Sequence, residues 1–406
     1  MHRIHDFAAK LRQPSLVPQL TAYATWRREI AAARATDRPD PPAPAPAPIS
    51  INLDLTTACN YACAHCIDWD ILNTRHKYRD EELRDSIRLL SEQGLRSVIL
   101  IGGGEPTLYP RFPAFVGFLK ELGLQVAIVT NGSRGAVLVE AAAHMDERDW
   151  IRLSLDSGSN ELFIAMHRPA NRGLDLDAIC EWVAKIKEGN PRVRVGFSYV
   201  IVWEGASRNG ERICENIHEI ELAAERAKRA GFDYIGYKPV LERRDDGAEV
   251  MDANKAQADL EAVVVRIRAA VDGAKELADE RFKVYESISL RVLEDGNWRE
   301  FTRQPRTCHM QALRQVLTPT GLYNCPAHRG VQKARIAGPT AYSDRESARQ
   351  TGENLLQILD CFDATHECRD VTCLYNQVNW WLDKIIGDPT IDLEAEISAE
   401  QFDYFL

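Results

Sequence analysis

The sequence predicts an α/β fold with a mostly parallel sheet, either open or curved into a barrel. From residue 49 onward, short β-rich segments alternate with amphipathic helical segments over roughly 200 residues, which is typical of repeated strand–helix units. Several helical segments end at a glycine, the residue that most readily adopts the left-handed conformation at a helix terminus. In such sheets ligands bind at the carboxyl ends of the strands, so the loops after the strands are the expected functional regions.

Length and composition limit the class of protein. The 406 residues are 45% hydrophobic and 27% charged, which is typical of a globular chain of two or three structural units. With 50 basic and 60 acidic side chains the formal net charge is −10, so nucleic acid and anionic membranes are not expected partners. No apolar run has the length of a signal peptide or membrane span, and a cytoplasmic location is expected.

Residues 1–48 are expected to form a helical segment and a proline-rich linker ahead of the core. Apolar residues recur at helical spacing up to residue 36, with interruptions at Pro14 and Pro18. Residues 39–48 contain six prolines, and an extended polyproline path of this length spans about 31 Å. The simplest interpretation is an accessory helix on a spacer that can cross one face of the protein.

The core, residues 49–245, is expected to hold the alternating strands and helices. Its strand candidates are residues 50–55, 97–101, 125–130, 150–155, 193–202 and 234–240. Asp80 is the expected N-cap of the helix after the first strand, and Gly94 ends that helix. A further helix is expected over residues 213–231, before the sixth strand.

Ten cysteines are the most informative residues, because clustered thiols in an intracellular protein indicate metal ligation or catalysis before disulfides. Cys59, Cys63 and Cys66 follow the first strand with three and then two intervening residues. A loop of this spacing can wrap one face of an iron–sulfur cluster, and three ligands for four irons leave one iron open to a substrate or cofactor. A structural zinc loop is the alternative.

A glycine-rich loop follows the second strand and is expected at the same sheet edge as the cysteine loop. Gly103 and Gly104 allow the backbone to approach a ligand closely, because no Cβ blocks the approach. Glu105 supplies a buried carboxylate at the rim of the site, suited to an ammonium group, and Pro106 fixes the turn. An ordinary tight turn is the alternative interpretation.

Together the two loops resemble those of the radical S-adenosylmethionine (radical SAM) superfamily, over roughly residues 49–245. The resemblance implies a partial (βα)6 TIM-like barrel whose three cysteines hold a 4Fe-4S cluster, with the open iron chelated by S-adenosylmethionine (SAM). It also implies an external electron donor such as flavodoxin or ferredoxin. One electron then cleaves SAM to methionine and a 5′-deoxyadenosyl radical, which abstracts a hydrogen atom from the substrate.

The resemblance further implies a set of contacts to SAM. Gly103, Gly104 and Glu105 are expected at the methionine amino group. The other implied cofactor-binding residues are Ser154 and Asp156 near the ribose, Arg168 near the carboxylate, Asn131 at the end of the third strand, and His65 near the adenine. For Ser154, Asp156 and Arg168, plain surface or capping roles are the alternative.

The C-terminal region, residues 246–406, is expected to be less regular and to carry a second metal site. A long helix is expected at 253–280, a hairpin turn at 318–321 and a helical tail from Trp380. The cysteines of this region resemble the ligands of SPASM and twitch extensions, which carry auxiliary iron–sulfur clusters. The resemblance, which is partial, implies one auxiliary 4Fe-4S cluster held by Cys308, Cys325, Cys368 and Cys373. A zinc site and buried free thiols are the alternatives.

The remaining cysteines have other expected roles. Cys361 is a substitute ligand, a free thiol or, in an epimerisation, the catalytic hydrogen-atom donor. Cys180 and Cys214 lie in helical patterns and are expected to pack in the core. Net oxidation, elimination and epimerisation all remain open, because the environment of an auxiliary cluster sets its potential.

The substrate is expected to be a small molecule such as a sugar, aminocyclitol or nucleoside intermediate. The 48 residues before the core are too few for a leader-peptide recognition domain, so a ribosomally made peptide is the second expectation. A non-enzymatic iron–sulfur carrier or sensor is the third, although such a protein needs no methionine-binding loop. Further candidates for substrate contact are Asp68, Trp69, Asp70, Lys238, Glu242 and Arg243.

Overall fold

A ten-stranded sheet organises the chain in a computed structural model, which describes residues 7–42, 47–208, 210–244, 247–251, 260–393 and 397–406. The strands are β1 (Ser50–Leu53), β2 (Ser97–Leu100), β3 (Gln125–Thr130), β4 (Trp150–Ser154), β5 (Arg194–Ile201), β6 (Ser207–Arg208), β7 (Glu211–Arg212), β8 (Tyr234–Pro239), β9 (Glu242–Arg243), β10 (Glu249–Val250), β11 (Lys283–Glu286), β12 (Arg314–Thr318), β13 (Gly321–Tyr323) and β14 (Arg335–Ala337).

Helices flank the sheet along the whole chain. They are α1 (Phe7–Leu11), α2 (Val17–Ala35), α3 (Asp80–Glu92), α4 (Phe112–Glu121), α5 (Gly135–Ala142), α6 (Asn160–His167), α7 (Leu176–Gly189), α8 (Ile220–Ala230), α9 (Leu260–Lys275), α10 (Ile288–Glu294), α11 (Met310–Leu313), α12 (Arg345–Cys361), α13 (Ala364–Glu367) and α14 (Asn376–Gly387). None of the helices within the described ranges combines the length and apolarity that a membrane crossing needs.

The sheet order is β11-β8-β5-β4-β3-β2-β1-β12-β13-β14, and the eight strands from β11 to β12 are mutually parallel. The predicted α/β class with a parallel sheet is therefore confirmed. The edge strands β11 and β14 do not pair with each other, so the sheet is a partial barrel. β6 with β7 and β9 with β10 form separate two-stranded ladders.

Two strands of the parallel sheet lie outside the six predicted ones: β11 was not predicted, and β12 was predicted only as part of a hairpin. β11 extends the sheet beyond β8, and β12 pairs with β1 on the other side. β12 and β13 form the antiparallel hairpin expected around the turn at 318–321. The expected domain boundary after residue 245 remains a prediction, and strands from both sides of it belong to one sheet.

The predicted helix ends are partly confirmed. Gly94 and Gly231 have φ of 115° and 85°, so both glycines end a helix in the region that other residues avoid. Asp80 is not the N-cap as predicted. It is the first residue of α3, and its carboxylate instead pairs with Arg84 at 3.0 Å. The helix expected from residue 213 starts later, because the chain first runs back along β5 and Asn216 donates its backbone N–H to the carbonyl of Val202 at 3.1 Å.

The N-terminal helices are part of the core rather than an accessory on a spacer. Only Pro14 interrupts them, since Pro18 lies in the first turn of α2, where a proline costs no hydrogen bond. Tyr23, Trp26 and Ile30 of α2 are buried against apolar residues of α12 and α14. The linker carbonyls at Pro41 and Ala47 accept from Trp26 Nε1 at 3.3 Å and from Gln19 Nε2 at 2.7 Å. The linker therefore runs back along α2; residues 43–46 lie outside the described ranges.

The last ten residues close the amino-terminal end of the sheet. The C-terminal helix begins at Asn376 rather than Trp380, and residues 397–406 are extended. Ser97 at the start of β2 donates to the Tyr404 carbonyl at 2.6 Å, and the Phe405 ring lies 5.5 Å from Trp150 at the start of β4. These contacts cover the amino-terminal ends of β2 and β4, on the side of the sheet away from the cysteine loop. The helix predicted at 253–280 is α9; residues 252–259 lie outside the described ranges.

Candidate active site

The cysteine loop lies at the carboxyl end of β1. The backbone N–H of Ala64 donates to Met166 O at 2.8 Å, which fixes the loop against the end of α6, and Asn73 Oδ1 accepts from Cys59 N at 3.0 Å. Burial raises the pKa of all three thiols, that of Cys66 to about 12, and the neighbouring sulfurs of Cys66 and Cys59 raise that of Cys63 further. Three crowded thiols of this kind suit a cationic metal centre, which would stabilise their thiolate forms.

The glycine loop packs directly on the cysteine loop, as the sequence predicts. A Cβ at Gly104 would lie 2.4 Å from the Ala58 carbonyl, so a larger residue cannot replace this glycine. Gly103 has a φ of 53°, and a Cβ there would lie 2.8 Å from Asp54 Oδ2. The N–H of Glu105 also donates to Ala58 O at 2.8 Å.

Glu105 is buried, as predicted, and its carboxylate is held by hydrogen bonds beneath the loop. Its side chain is 2% exposed and accepts from Thr107 N at 3.0 Å, Thr130 Oγ1 at 2.6 Å and Asn131 N at 2.7 Å. Asn131 in turn donates from Nδ2 to Asn60 Oδ1 at 3.0 Å. Glu105 and Asn131 thus join the loops after β1, β2 and β3. The sequence did not indicate this structural role.

His65 and Asp156 are brought together, and His167 joins them. His65 Nε2 lies 2.9 Å from Asp156 Oδ2, and His167 Nε2 lies 3.4 Å from the same oxygen. The other ring nitrogen of His167 is 3.3 Å from Cys63 Sγ. Although burial opposes ionisation, the hydrogen bond from His65 and the two imidazoles hold the pKa of Asp156 below its usual value, and burial lowers the pKa of His167 to about 4. Sequence analysis missed His167, because it belongs to no recognised motif.

Ser154 and Arg168, the other two predicted SAM contacts, lie in different parts of the structure. Ser154 is the last residue of β4 and is only partly buried. Arg168 ends α6 with a φ of 46°, and its half-exposed guanidinium lies 3.6 Å from Glu211. The structure thus brings Ser154, but not the Arg168 head group, to the inner face of the sheet.

An ion cluster behind the glycine loop includes a residue from the C-terminal region. Arg329 Nη1 lies 2.7 Å from Asp68 Oδ2, and its Nε lies 3.3 Å from Asp54 Oδ2. All three side chains are buried, and a Cβ at Gly102 would lie 2.9 Å from the guanidinium. Arg329 was not predicted, because its partners are distant in sequence.

A cavity of about 730 Å³ opens beside the cysteine loop. Its lining includes Cys66 and His65 together with several of the predicted candidates, namely Trp69, Asp70, Glu242 and Arg243. Arg208 lines it as well and donates from Nη1 to the Cys63 carbonyl at 2.7 Å. Arg243 donates to Asp70 Oδ1 at 2.8 Å. The cavity therefore joins the cysteine loop to the small ladders at the carboxyl edge.

The four C-terminal cysteines are also brought together. Burial raises the pKa of Cys308 to about 12 and that of Cys325 to about 11. Burial also raises the pKa of Cys368 and Cys373, and the charges of the Cys308 and Cys325 sulfurs raise it further. Cys361 lies apart, exposed at the end of α12 and outside the lining of the cavity.

The two cysteines expected in the core differ. Cys180 in α7 is buried as predicted, whereas Cys214 is exposed, because the predicted helix begins only after it.

Comparisons with known proteins find one matching family model. A family model of the radical SAM superfamily matches residues 53–202. An S-adenosylmethionine-dependent nucleotide dehydratase from the Thermoplasmatales archaeon strain ISO4-H5 is 38% identical over 100 residues, 24% of this chain and 34% of that protein. A protein of the same name from Selenomonas ruminantium is 25% identical over 255 residues, 59% of this chain and 89% of the relative. The chain thus spans about a third of the first relative and most of the second.

Among solved structures, the fold resembles that of SuiB from Streptococcus suis bound to its precursor peptide SuiA. The TM-score is 0.52 at 15% identity, over 79% of this chain and 69% of SuiB. At this identity the similarity concerns the fold alone.

Proposed function

We propose that the chain is a radical SAM enzyme that abstracts a hydrogen atom from a small-molecule substrate of the sugar, aminocyclitol or nucleoside type. The 4Fe-4S cluster that Cys59, Cys63 and Cys66 would hold supplies the electron that converts SAM to methionine and a 5′-deoxyadenosyl radical. An external donor such as flavodoxin or ferredoxin would supply that electron.

The observation that carries this proposal is the contact between the two loops. The three thiols and the Gly103-Gly104 backbone share one sheet edge, and the cavity at Cys66 opens on it. A cofactor bound between the loops would meet the glycine backbone without interference from a side chain. Glu105 and Asn131 would hold that backbone in place through their buried hydrogen bonds.

The small-molecule class has support from the relatives. Two of them are named as nucleotide dehydratases, which favours a nucleoside or nucleotide within this class. The cavity of about 730 Å³ is large enough for a ligand of that size. Whether the net reaction is oxidation, elimination or epimerisation depends on the auxiliary site.

We propose that Cys308, Cys325, Cys368 and Cys373 hold one auxiliary 4Fe-4S cluster. Cys308 and Cys325 both lie close enough to the buried thiols of Cys368 and Cys373 to add to the rise in their pKa, and four thiols match the ligand number of such a cluster. Cys361 is exposed and is proposed as neither ligand nor hydrogen-atom donor.

A ribosomally made peptide is the second candidate substrate. The solved structure of SuiB contains a precursor peptide, and although that likeness concerns the fold alone, it supplies a second substrate class to test. The carrier or sensor alternative is abandoned, because the family match and the relatives support an enzyme.

The test is formation of 5′-deoxyadenosine by the anaerobically reconstituted protein with SAM and dithionite. We expect formation by the wild type and by Cys214→Ala, which changes an exposed thiol, but not by Cys59→Ala. Absence of 5′-deoxyadenosine above background with the wild type would refute the proposed chemistry. We expect a nucleoside or nucleotide to increase the rate of 5′-deoxyadenosine formation. An increase with a precursor peptide alone would favour the second candidate.

A further inference from the structure

The inner face of the sheet has free space between β4, β5 and β8 at the level of Gly236, whereas the Tyr234 ring covers Gly196 one level deeper. Side chains alternate along each strand, and Ile151, Leu153, Ile235 and Tyr237 belong to the apolar core on the helix side. The residues between them therefore face inward. They are Arg152 and Ser154 on β4, and Tyr234, Gly236 and Lys238 on β8. A Cβ at Gly236 would have no atom within 4 Å, so space remains at this level.

Two cations border this space without an acidic partner. Neither Arg152 nor Lys238 makes a hydrogen bond or an ion pair with any residue in the described ranges. Arg152 Nε is buried without a hydrogen-bond partner, and its guanidinium lies 5.3 Å from the centre of the Trp150 ring. Burial lowers the pKa of Lys238 to about 8, and the charge of Arg152 lowers it further. Burying uncompensated charge is costly, and an anionic ligand would offset that cost.

The nearest acids do not neutralise these cations. Asp156 accepts from His65 Nε2 at 2.9 Å and from Val200 N at 2.6 Å. Burial raises the pKa of Glu249 to about 7, and this carboxyl group is not in ion-pair contact with Lys238. The cations thus remain available to a ligand.

The strand register gives the direction of entry. Arg152 lies opposite Gly196, and Lys238 lies opposite Val200, four residues farther toward the carboxyl end of β5. Lys238 is therefore at the mouth and Arg152 is deeper. Since Phe405 and Trp150 close the base, a ligand enters from the edge that carries the cysteine loop.

We propose that this inner face binds an anionic group of the substrate, a phosphate or a carboxylate, between Lys238 and Arg152. The proposal rests on the proposed function and adds a charge requirement to it. Hydroxyl groups of Ser154 and Ser198, which are opposite each other in the register, lie between the two cations and can donate to the same group.

The test is calorimetric titration of the cluster-loaded, SAM-bound enzyme with inorganic pyrophosphate for the phosphate arm and succinate for the carboxylate arm. We expect one of them to bind, and Arg152→Gln and Lys238→Gln to weaken that binding by about tenfold or more. Lys238→Arg, which keeps the charge, should retain most of it. Arg192→Gln, an exposed control beside Glu147, should change nothing. Binding of neither anion, or equal binding by all variants, would overturn the proposal.

A second measurement separates the substrate from SAM, which also carries a carboxylate. In the wild type, saturation with SAM is expected to leave the affinity for the anion unchanged. Competition between SAM and the anion would mean that the cations hold SAM itself, and the substrate assignment would be wrong. Anion binding by a wild type that forms no 5′-deoxyadenosine would instead refute only the proposed function.

Discussion

Arg329 shows how one side chain can connect the C-terminal region to the site. It lies between the buried carboxylates of Asp54 and Asp68, and its guanidinium touches the glycine loop. One cation faces two acids, so its removal would leave both without their partner in a region closed to water. The glycine loop would lose its support at the same time.

We expect Arg329→Ala to lower the free energy of unfolding by about 3–5 kcal/mol, because truncating one member of a buried ion cluster leaves uncompensated charge. Urea denaturation of the protein measures this loss. Arg349→Ala, which removes an exposed guanidinium beside Glu346, is the matched control and should cost less than about 1 kcal/mol. Equal losses in the two variants would contradict the buried cluster.

Lys238 leads to a prediction about pH. Its folded pKa of about 8 lies below the ordinary lysine value, so the unfolded chain binds more protons between about pH 8 and 10 and stability rises with pH there. Lys238→Met should therefore stabilise the ligand-free protein at pH 7 by about 1–3 kcal/mol, and the gain should shrink as pH approaches 10. Thermal unfolding at pH 7, 8.5 and 10 measures it, with the exposed Lys185→Met as control. A gain that is constant across this range would contradict a depressed pKa.

At this scale, sequence analysis succeeds where function depends on local spacing. Cys59, Cys63 and Cys66 lie within one loop, so their convergence was predictable. Arg329 and Asp68 are 261 positions apart, and His167 meets Cys63 only through the folding of α6 over the cysteine loop. Contacts of this kind depend on the tertiary arrangement, and no local pattern encodes them.

Among the elements, α1 and α2 cover the auxiliary cysteines. Leu11, Leu16 and Leu20 belong to one apolar cluster, against which Cys308 and Cys373 pack. Tyr23 lies 2.9 Å from His309 Nδ1, next to Cys308 in the chain. The amphipathic pattern of this segment was visible in the sequence, but its partner was not.

We expect Leu20→Ala to lower the free energy of unfolding by about 2–5 kcal/mol, because truncating a buried leucine leaves a cavity. The C-terminal thiols should become more accessible, so iron held there should be lost faster to a chelator, while iron at the cysteine loop after β1 should not. Iron release followed by absorbance measures this difference. Leu222→Ala, at an exposed leucine, is the control. Unchanged release would show that α2 does not shield the auxiliary site.

The strands missed by sequence analysis have a common cause. β11 has four residues, and β12 has five and lies in a region without regular alternation. β1 also has only four residues and was predicted, so length alone is not the cause; β11 and β12 join the sheet by pairing with β8 and β1. Their identity depends more on their neighbours than on their own periodicity.

In the whole molecule, a single sheet positions both proposed cluster sites. β1 carries the first cysteine loop at its carboxyl end and pairs with β12, which leads into the hairpin ahead of Cys325. The closing of the base by residues 397–406 was not predictable, since an extended tail has no periodicity. Because the two proposed clusters have separate ligands on one sheet, we expect that either cluster can be removed while the other stays bound.

Replacing Cys59, Cys63 and Cys66 with alanine should leave about four irons per chain, bound by Cys308, Cys325, Cys368 and Cys373. Replacing those four should likewise leave about four irons at the loop after β1, against about eight in the wild type, because the two ligand sets share no cysteine. Iron analysis and electron paramagnetic resonance after anaerobic reconstitution measure both. Cys361→Ala is the control and should keep the wild-type iron content, since this thiol is exposed. A folded first variant without iron would exclude the auxiliary cluster, whereas iron loss in Cys361→Ala would return that residue to the ligand set.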